Sequence, residues 1–153
     1  RSAQKMKKSI LFCAAGLLLS AAVFAQSSEK LTELINTDKA TFGQISYLAG
    51  VYTGKVAEDA DYDTAVKTLS SEGIIAADKT ADTEITLAEL SYLCMKTAGL
   101  KGGLFYSIFP GPRYAFRELK AKNILPPSAD PSEKVTGRDA IAVLNGCLPQ
   151  DGE

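Results

Sequence analysis

The side chains that most often do chemistry are scarce in this chain. It has no histidine among its 153 residues, which removes the commonest general base and a common metal ligand. There is no G-x-S-x-G turn and no phosphate loop, and Gly102-Gly103 stands after a helical pattern rather than before one. Cys94 has no histidine to activate it as a nucleophile. These absences read as a protein that is not an enzyme and that carries no cofactor. One stretch has the spacing of a calcium loop: Asp78, Thr80, Asp82, Glu84 through its carbonyl, Thr86 and Glu89 fall at positions 1, 3, 5, 7, 9 and 12. Position 6 is Thr83 where the sharp turn needs glycine, position 3 lacks a carboxylate, and Thr86 and Glu89 already suit a helix cap. No metal site is therefore assigned.

The stretch best equipped for binding runs from Lys101 to Arg117, where Phe105, Tyr106, Phe109, Tyr114 and Phe116 sit beside Arg113 and Arg117. Tyrosine with arginine suits a surface for a sugar polymer, a partner protein or a membrane interface. The other reading is that Leu104, Ile108 and Phe109 fold back over the helices, as apolar loop residues usually do. The expectation is mixed: Phe109 and Phe116 inside, and Tyr106, Arg113, Tyr114 and Arg117 as the candidate binding residues. Cys94 and Cys147 leave two readings open, a disulfide or two small buried side chains.

The elements that hold these residues come from a repeat. Thr41, Thr86 and Thr136 each have an acid or amide three residues on, namely Gln44, Glu89 and Asp139. That is the capping-box pattern, weakest in the Asp copy. Apolar residues flank each box at staple positions: Ala40 with Ile45, Ile85 with Leu90, Val135 with Ala140. Gly54, Gly99 and Gly146 stand where these Thr-initiated helices should stop. Between them lies a second helical pattern, in which Ala65, Val66, Leu69 and Gly73 align with Ala115, Phe116, Leu119 and Asn123. Asp61 to Thr86 and Gly111 to Thr136 are each 25 residues, whereas Thr41 to Asp61 is 20 and Thr86 to Gly111 is 25. The extra length falls at residues 100–110. A unit of this size that cannot bury its face alone predicts an all-α fold of stacked helix pairs in one compact domain.

The front of the chain reads as a secretory signal peptide: Met6-Lys-Lys, an apolar run, then Val23 and Ala25 at the −3 and −1 positions, with cleavage before Gln26. Residues 1–5 precede that start. Cys13 follows Phe12 and lies too early to be a lipid anchor. The apolar run is short for a bilayer span, so no transmembrane segment is expected after cleavage. Cleavage removes four of the 17 basic residues and none of the 18 acids, leaving a net charge of −5. An acidic domain argues against a nucleic-acid partner and against simple electrostatic docking to anionic lipid. The organisation expected is a leader over 1–25, a capping helix within 26–40, the repeat domain over 41–148 and a tail over 149–153.

The order Leu69, Gly73, Ile74-Ile75, an Asp-bearing loop, then Ile85-Thr86, Ala88-Glu89-Leu90 resembles the S-layer homology repeat. The resemblance covers residues 40–148 as one good unit, 61–99, and one diverged unit, 111–147. It implies a bacterial, exported cell-envelope module that contacts cell-wall polymer or an envelope protein. It also implies binding through an arginine in a T-R-A-E motif and an aromatic residue near the intervening helix. Here the arginine position is Leu87 in one copy and Gly137 in the other, Arg138 is displaced by one, and with no tryptophan the nearest aromatics are Tyr62 and Tyr114. A structural or adaptor domain that binds another protein through residues 100–117 is the alternative.

Overall fold

In the computed structural model, which describes residues 26–149, each repeated threonine starts a helix. The Thr41 hydroxyl accepts from Gln44 N at 3.3 Å and the Gln44 side chain accepts from Thr41 N at 3.2 Å. Thr86 and Glu89 repeat this at 3.3 and 3.0 Å. Thr136 accepts from Asp139 N at 3.1 Å without the return bond. The six staple residues are all buried, so the caps and the core fix the same three helix starts.

The helices in chain order are α1 (26–35), α2 (Phe42–Tyr52), α3 (Tyr62–Ser71), α4 (Leu87–Ala98), α5 (Leu104–Ile108), α6 (Pro112–Ala121) and α7 (Gly137–Cys147). Among the described residues no strand forms; Thr41–Glu84 and Thr86–Lys134 are isolated bridges. The fold is all-α and forms one compact domain. After α3 and α6, Gly73 (φ 74°) and Asn123 (φ 59°) take the left-handed turn. It sends Ile74 N and Ile124 N back to the Leu69 and Leu119 carbonyls at 3.0 and 2.9 Å. Gly99 ends α4 in the same conformation, but Gly146 does not end α7. That helix runs to Cys147, and Leu148 is extended because Pro149 follows it. Gly146 instead admits Ile124, whose Cγ2 would lie 2.9 Å from a Cβ at that position.

The helices pair in an order the repeat does not announce. α2 packs chiefly on α3, α4 chiefly on α6, and α7 on α4. The intimate pair is therefore a Thr-initiated helix with the next long helix, whereas the resemblance drew its unit, 61–99, as α3 followed by α4. Backbone hydrogen bonds tie the pairs together where the Thr-initiated helices begin. Ile85 N donates to Ala40 O at 3.0 Å, Ala40 N to Val135 O at 2.7 Å and Gly137 N to Thr37 O at 2.8 Å.

α1 packs against α2, α3 and the start of α7. Leu34 is buried in the core. Glu33 accepts from the Tyr62 hydroxyl at 2.9 Å and from the Gln44 amide at 3.4 Å. The Lys30 ammonium donates to the Ala60 carbonyl and lies 4.0 Å from the centre of the Tyr47 ring. The signal peptide read over 1–25 and residues 150–153 of the tail lie outside the described residues.

Candidate functional site

The insertion is not an open loop. Gly103 N donates to the Glu118 carboxylate at 2.9 Å, fixing the chain to α6, and the Ser107 hydroxyl donates to Gly103 O at 3.0 Å to close the single turn of α5. One turn can face only part of its surface inward, and the residue that goes in is Tyr106, at 8% exposure. Gly102 makes room for it: a Cβ there would sit 2.8 Å from the Tyr106 Cβ. Burial, and then the nearby Tyr92 and Glu118, raise the pKa of the Tyr106 phenol. This corrects the expectation that Tyr106 faces outward as a binding residue.

Phe109 is corrected in the opposite sense. It is 60% exposed, and Phe105 (63%), Leu104 and Ile108 are exposed with it rather than folded over the helices. The Tyr114 ring holds this platform: it stacks on Phe105 at 6.0 Å and 10° and on Phe109 at 6.4 Å and 28°. Tyr114 itself is half-buried, and the Arg113 guanidinium lies 5.9 Å from its ring centre. Phe116 is in the core, as its place in the helical pattern required.

Arg113 and Arg117 are exposed and stand one turn apart on α6, and Lys120 continues the row. Residues at i, i+4 and i+7 share a helix face. Together they line a groove of about 710 Å³ whose other walls are Ala88, Pro112, Phe116 and Pro131. Among the described residues none of the three cations pairs with a carboxylate. Lys120 was missed in the sequence; its spacing of three residues from Arg117 and seven from Arg113 was the signal available. A second cleft, of about 450 Å³, has Glu133, Asp139 and Lys134 on its walls. Its lysine already reaches the Glu84 carbonyl at 3.3 Å. With its acids in the majority, that cleft does not gather one sign of charge.

The positions that the resemblance would give to a binding arginine are taken up by packing. Leu87 is buried. Gly137 lies directly beneath the Leu34 carbonyl, where any Cβ would collide with the backbone of α1. Arg138 donates to the Ile35 carbonyl at 3.4 Å and so helps to hold that helix end. Within the calcium-like stretch, Glu89 accepts from Thr86 N and Thr86 Oγ at 3.0 and 2.8 Å, and Lys79 lies 3.4 Å from its second oxygen. Among the described residues no three His, Cys, Asp or Glu side chains converge on a point that would hold a metal ion.

The two cysteines do meet. Cys94 in the middle of α4 and Cys147 at the end of α7 are free thiols, both buried, and close enough to influence each other's ionisation. That contact, with burial, raises the Cys94 pKa. The same contact lowers the pKa of Cys147, against its burial and helped by Lys122.

Comparison with known protein families, curated proteins and solved structures finds no match to this chain. No helix among the described residues is long and apolar enough to cross a membrane.

Proposed function

We propose that the protein is an exported, non-catalytic binding module of the cell envelope, and that the α5–α6 face contacts an anionic cell-wall polymer. The observation that carries this reading is the row Arg113, Arg117 and Lys120, three cations along one groove with no carboxylate partner among the described residues. They stand in a chain whose mature form would be acidic. A low-dielectric groove lined by one sign of charge concentrates the opposite sign from solution. Arginine adds a planar, two-pronged donor suited to carboxylate or phosphate groups. The stacked Phe105, Tyr114 and Phe109 rings beside the groove offer flat apolar faces to the sugar units between those groups. Export rests on the leader pattern over 1–25, which supports an address in the periplasm or cell envelope.

A second reading, an adaptor that docks on an envelope protein, draws on Leu104 and Ile108. Both are exposed aliphatic side chains that a sugar polymer would leave in water. Retention on isolated envelope, before and after chemical stripping of its secondary polymers, separates the two. The polymer reading predicts that stripping abolishes retention, and that Arg113→Glu with Arg117→Glu does the same on intact envelope. Retention that survives both treatments, yet falls with Leu104→Ser and Ile108→Ser, would overturn it in favour of the protein partner.

A further inference from the structure

We propose that Cys94 and Cys147 form an intramolecular disulfide that staples α7 to α4. The two residues are 53 positions apart in sequence and come from helices that pack on each other. They lie in the same core cluster, both buried, on faces that the two helices turn towards one another. α7 is the last helix of the described chain and its main helical neighbour is α4. A bond at this point therefore fixes the least enclosed Thr-initiated helix to the centre of the fold. Thiols brought together by the native backbone need no large rearrangement to oxidise, in contrast to cysteines merely close in sequence.

The chemistry divides unequally between the two sulfurs. Cys147 ends its helix one residue before the extended Leu148, where opening of a single turn uncovers it. Its place at the helix end makes it the first of the two thiols that an oxidant reaches, so it is the attacking group. The Cys147 thiolate displaces one sulfur of a small-molecule or protein disulfide, releasing that sulfur as a thiolate and leaving a mixed disulfide. Cys94 then gives its proton to the released thiolate and attacks Cys147 Sγ, expelling the second sulfur. Two protein thiols lose two electrons and two protons, and the oxidant's disulfide becomes two thiols. An exported chain meets oxidants of this class.

The test uses the full chain carrying Cys13→Ser, so that Cys94 and Cys147 are its only thiols, with oxidised glutathione as the probe. Intact mass should fall by two hydrogen atoms, with no stable glutathione adduct. After denaturation without reductant, no thiol should remain for alkylation, and the melting temperature should rise by several degrees. Cys94→Ala keeps the attacking thiol and removes the resolving one, so it should accumulate the glutathione adduct instead. Cys147→Ala should remain unmodified while folded. Two alkylatable thiols after oxidation of this folded Cys13→Ser chain would overturn the proposal. So would a mixed disulfide as its end product, or a bond that lowers the melting temperature.

Discussion

The two helix pairs, α2–α3 and α4–α6, share a backbone and differ in what they offer to solvent. Phe42 N and Gly43 N donate to the Thr83 and Ala81 carbonyls, each at 2.9 Å, and Leu87 N and Ala88 N donate to those of Glu133 and Pro131 at 2.8 and 3.0 Å. These are the same bonds, displaced by 45 residues on the donor side and 50 on the acceptor side. The surfaces above them are unlike. In the first pair Gly43 admits Tyr62 and Ala81, both of which would stand about 3 Å from a Cβ there, so the space is filled. In the second pair the corresponding residues, Ala88, Pro112 and Pro131, line an open groove. Where α6 carries Arg113, Arg117 and Lys120, α3 carries Asp63, Lys67 and Ser70. Only the second pair has an extra helix, α5, between its two members. The repeated backbone is a framework for packing; whatever is particular to this protein lies in the side chains and the extra turn added to one copy.

The largest effects should come from the shared core, and they should be equal in the two halves. Ile45 and Leu90 are equivalent and fully buried, so Ile45→Ala and Leu90→Ala should each cost about 2–5 kcal/mol in urea unfolding. A small loss at one and a large loss at the other would break the equivalence. In the insertion, Tyr106→Ser should cost about 3–5 kcal/mol, as for buried aromatics elsewhere. Its neighbour Phe105→Ser should stay within about 0.5 kcal/mol. The reverse order would mean that α5 is turned the other way. Thr86→Ala should cost about 1 kcal/mol, through loss of an N-cap. Thr136→Ala, which breaks a cap without the reciprocal bond, should cost less; equal losses would show that the return bond adds nothing. The smallest effect separates Ser46 from Ser91, again equivalent and fully buried. Ser91 donates to Leu87 O at 2.7 Å, whereas Ser46 Oγ has no partner. Ser91→Ala should destabilise by about 1 kcal/mol and Ser46→Ala should be neutral or stabilising.

What was legible in the sequence was local. The caps at Thr41, Thr86 and Thr136, the staple pairs and the left-handed turns at Gly73 and Asn123 each depend on residues within about one turn, and all were placed where they form. Gly146 misled because glycine also serves close packing, and its neighbour Ile124 is distant in sequence. The pairing of α4 with α6 rather than α3 was not written in the repeat, since identical helix faces do not say which neighbour they bury against. Tyr106 and Phe109 were exchanged for a related reason. A one-turn helix has too few residues to show a period, and its rotation is set by Gly102 and by the Glu118 anchor on another helix. Arg113 and Arg117 were visible as residue types beside the aromatics. The groove became visible only when Pro131 and Ala88 were brought opposite them, and Lys120 with it.

The central claim is that function resides in the charge and platform of one helix pair. It is tested most directly by exchanging charge between the pairs. The double substitution Asp63→Arg with Arg113→Asp leaves net charge unchanged and moves one cation from the open groove to the filled one. In a titration against purified anionic wall polymer at fixed salt, the account predicts a loss of affinity of about tenfold or more, roughly 1.4 kcal/mol, with an unaltered urea midpoint. Affinity equal to that of the wild type, with the fold intact, would contradict it.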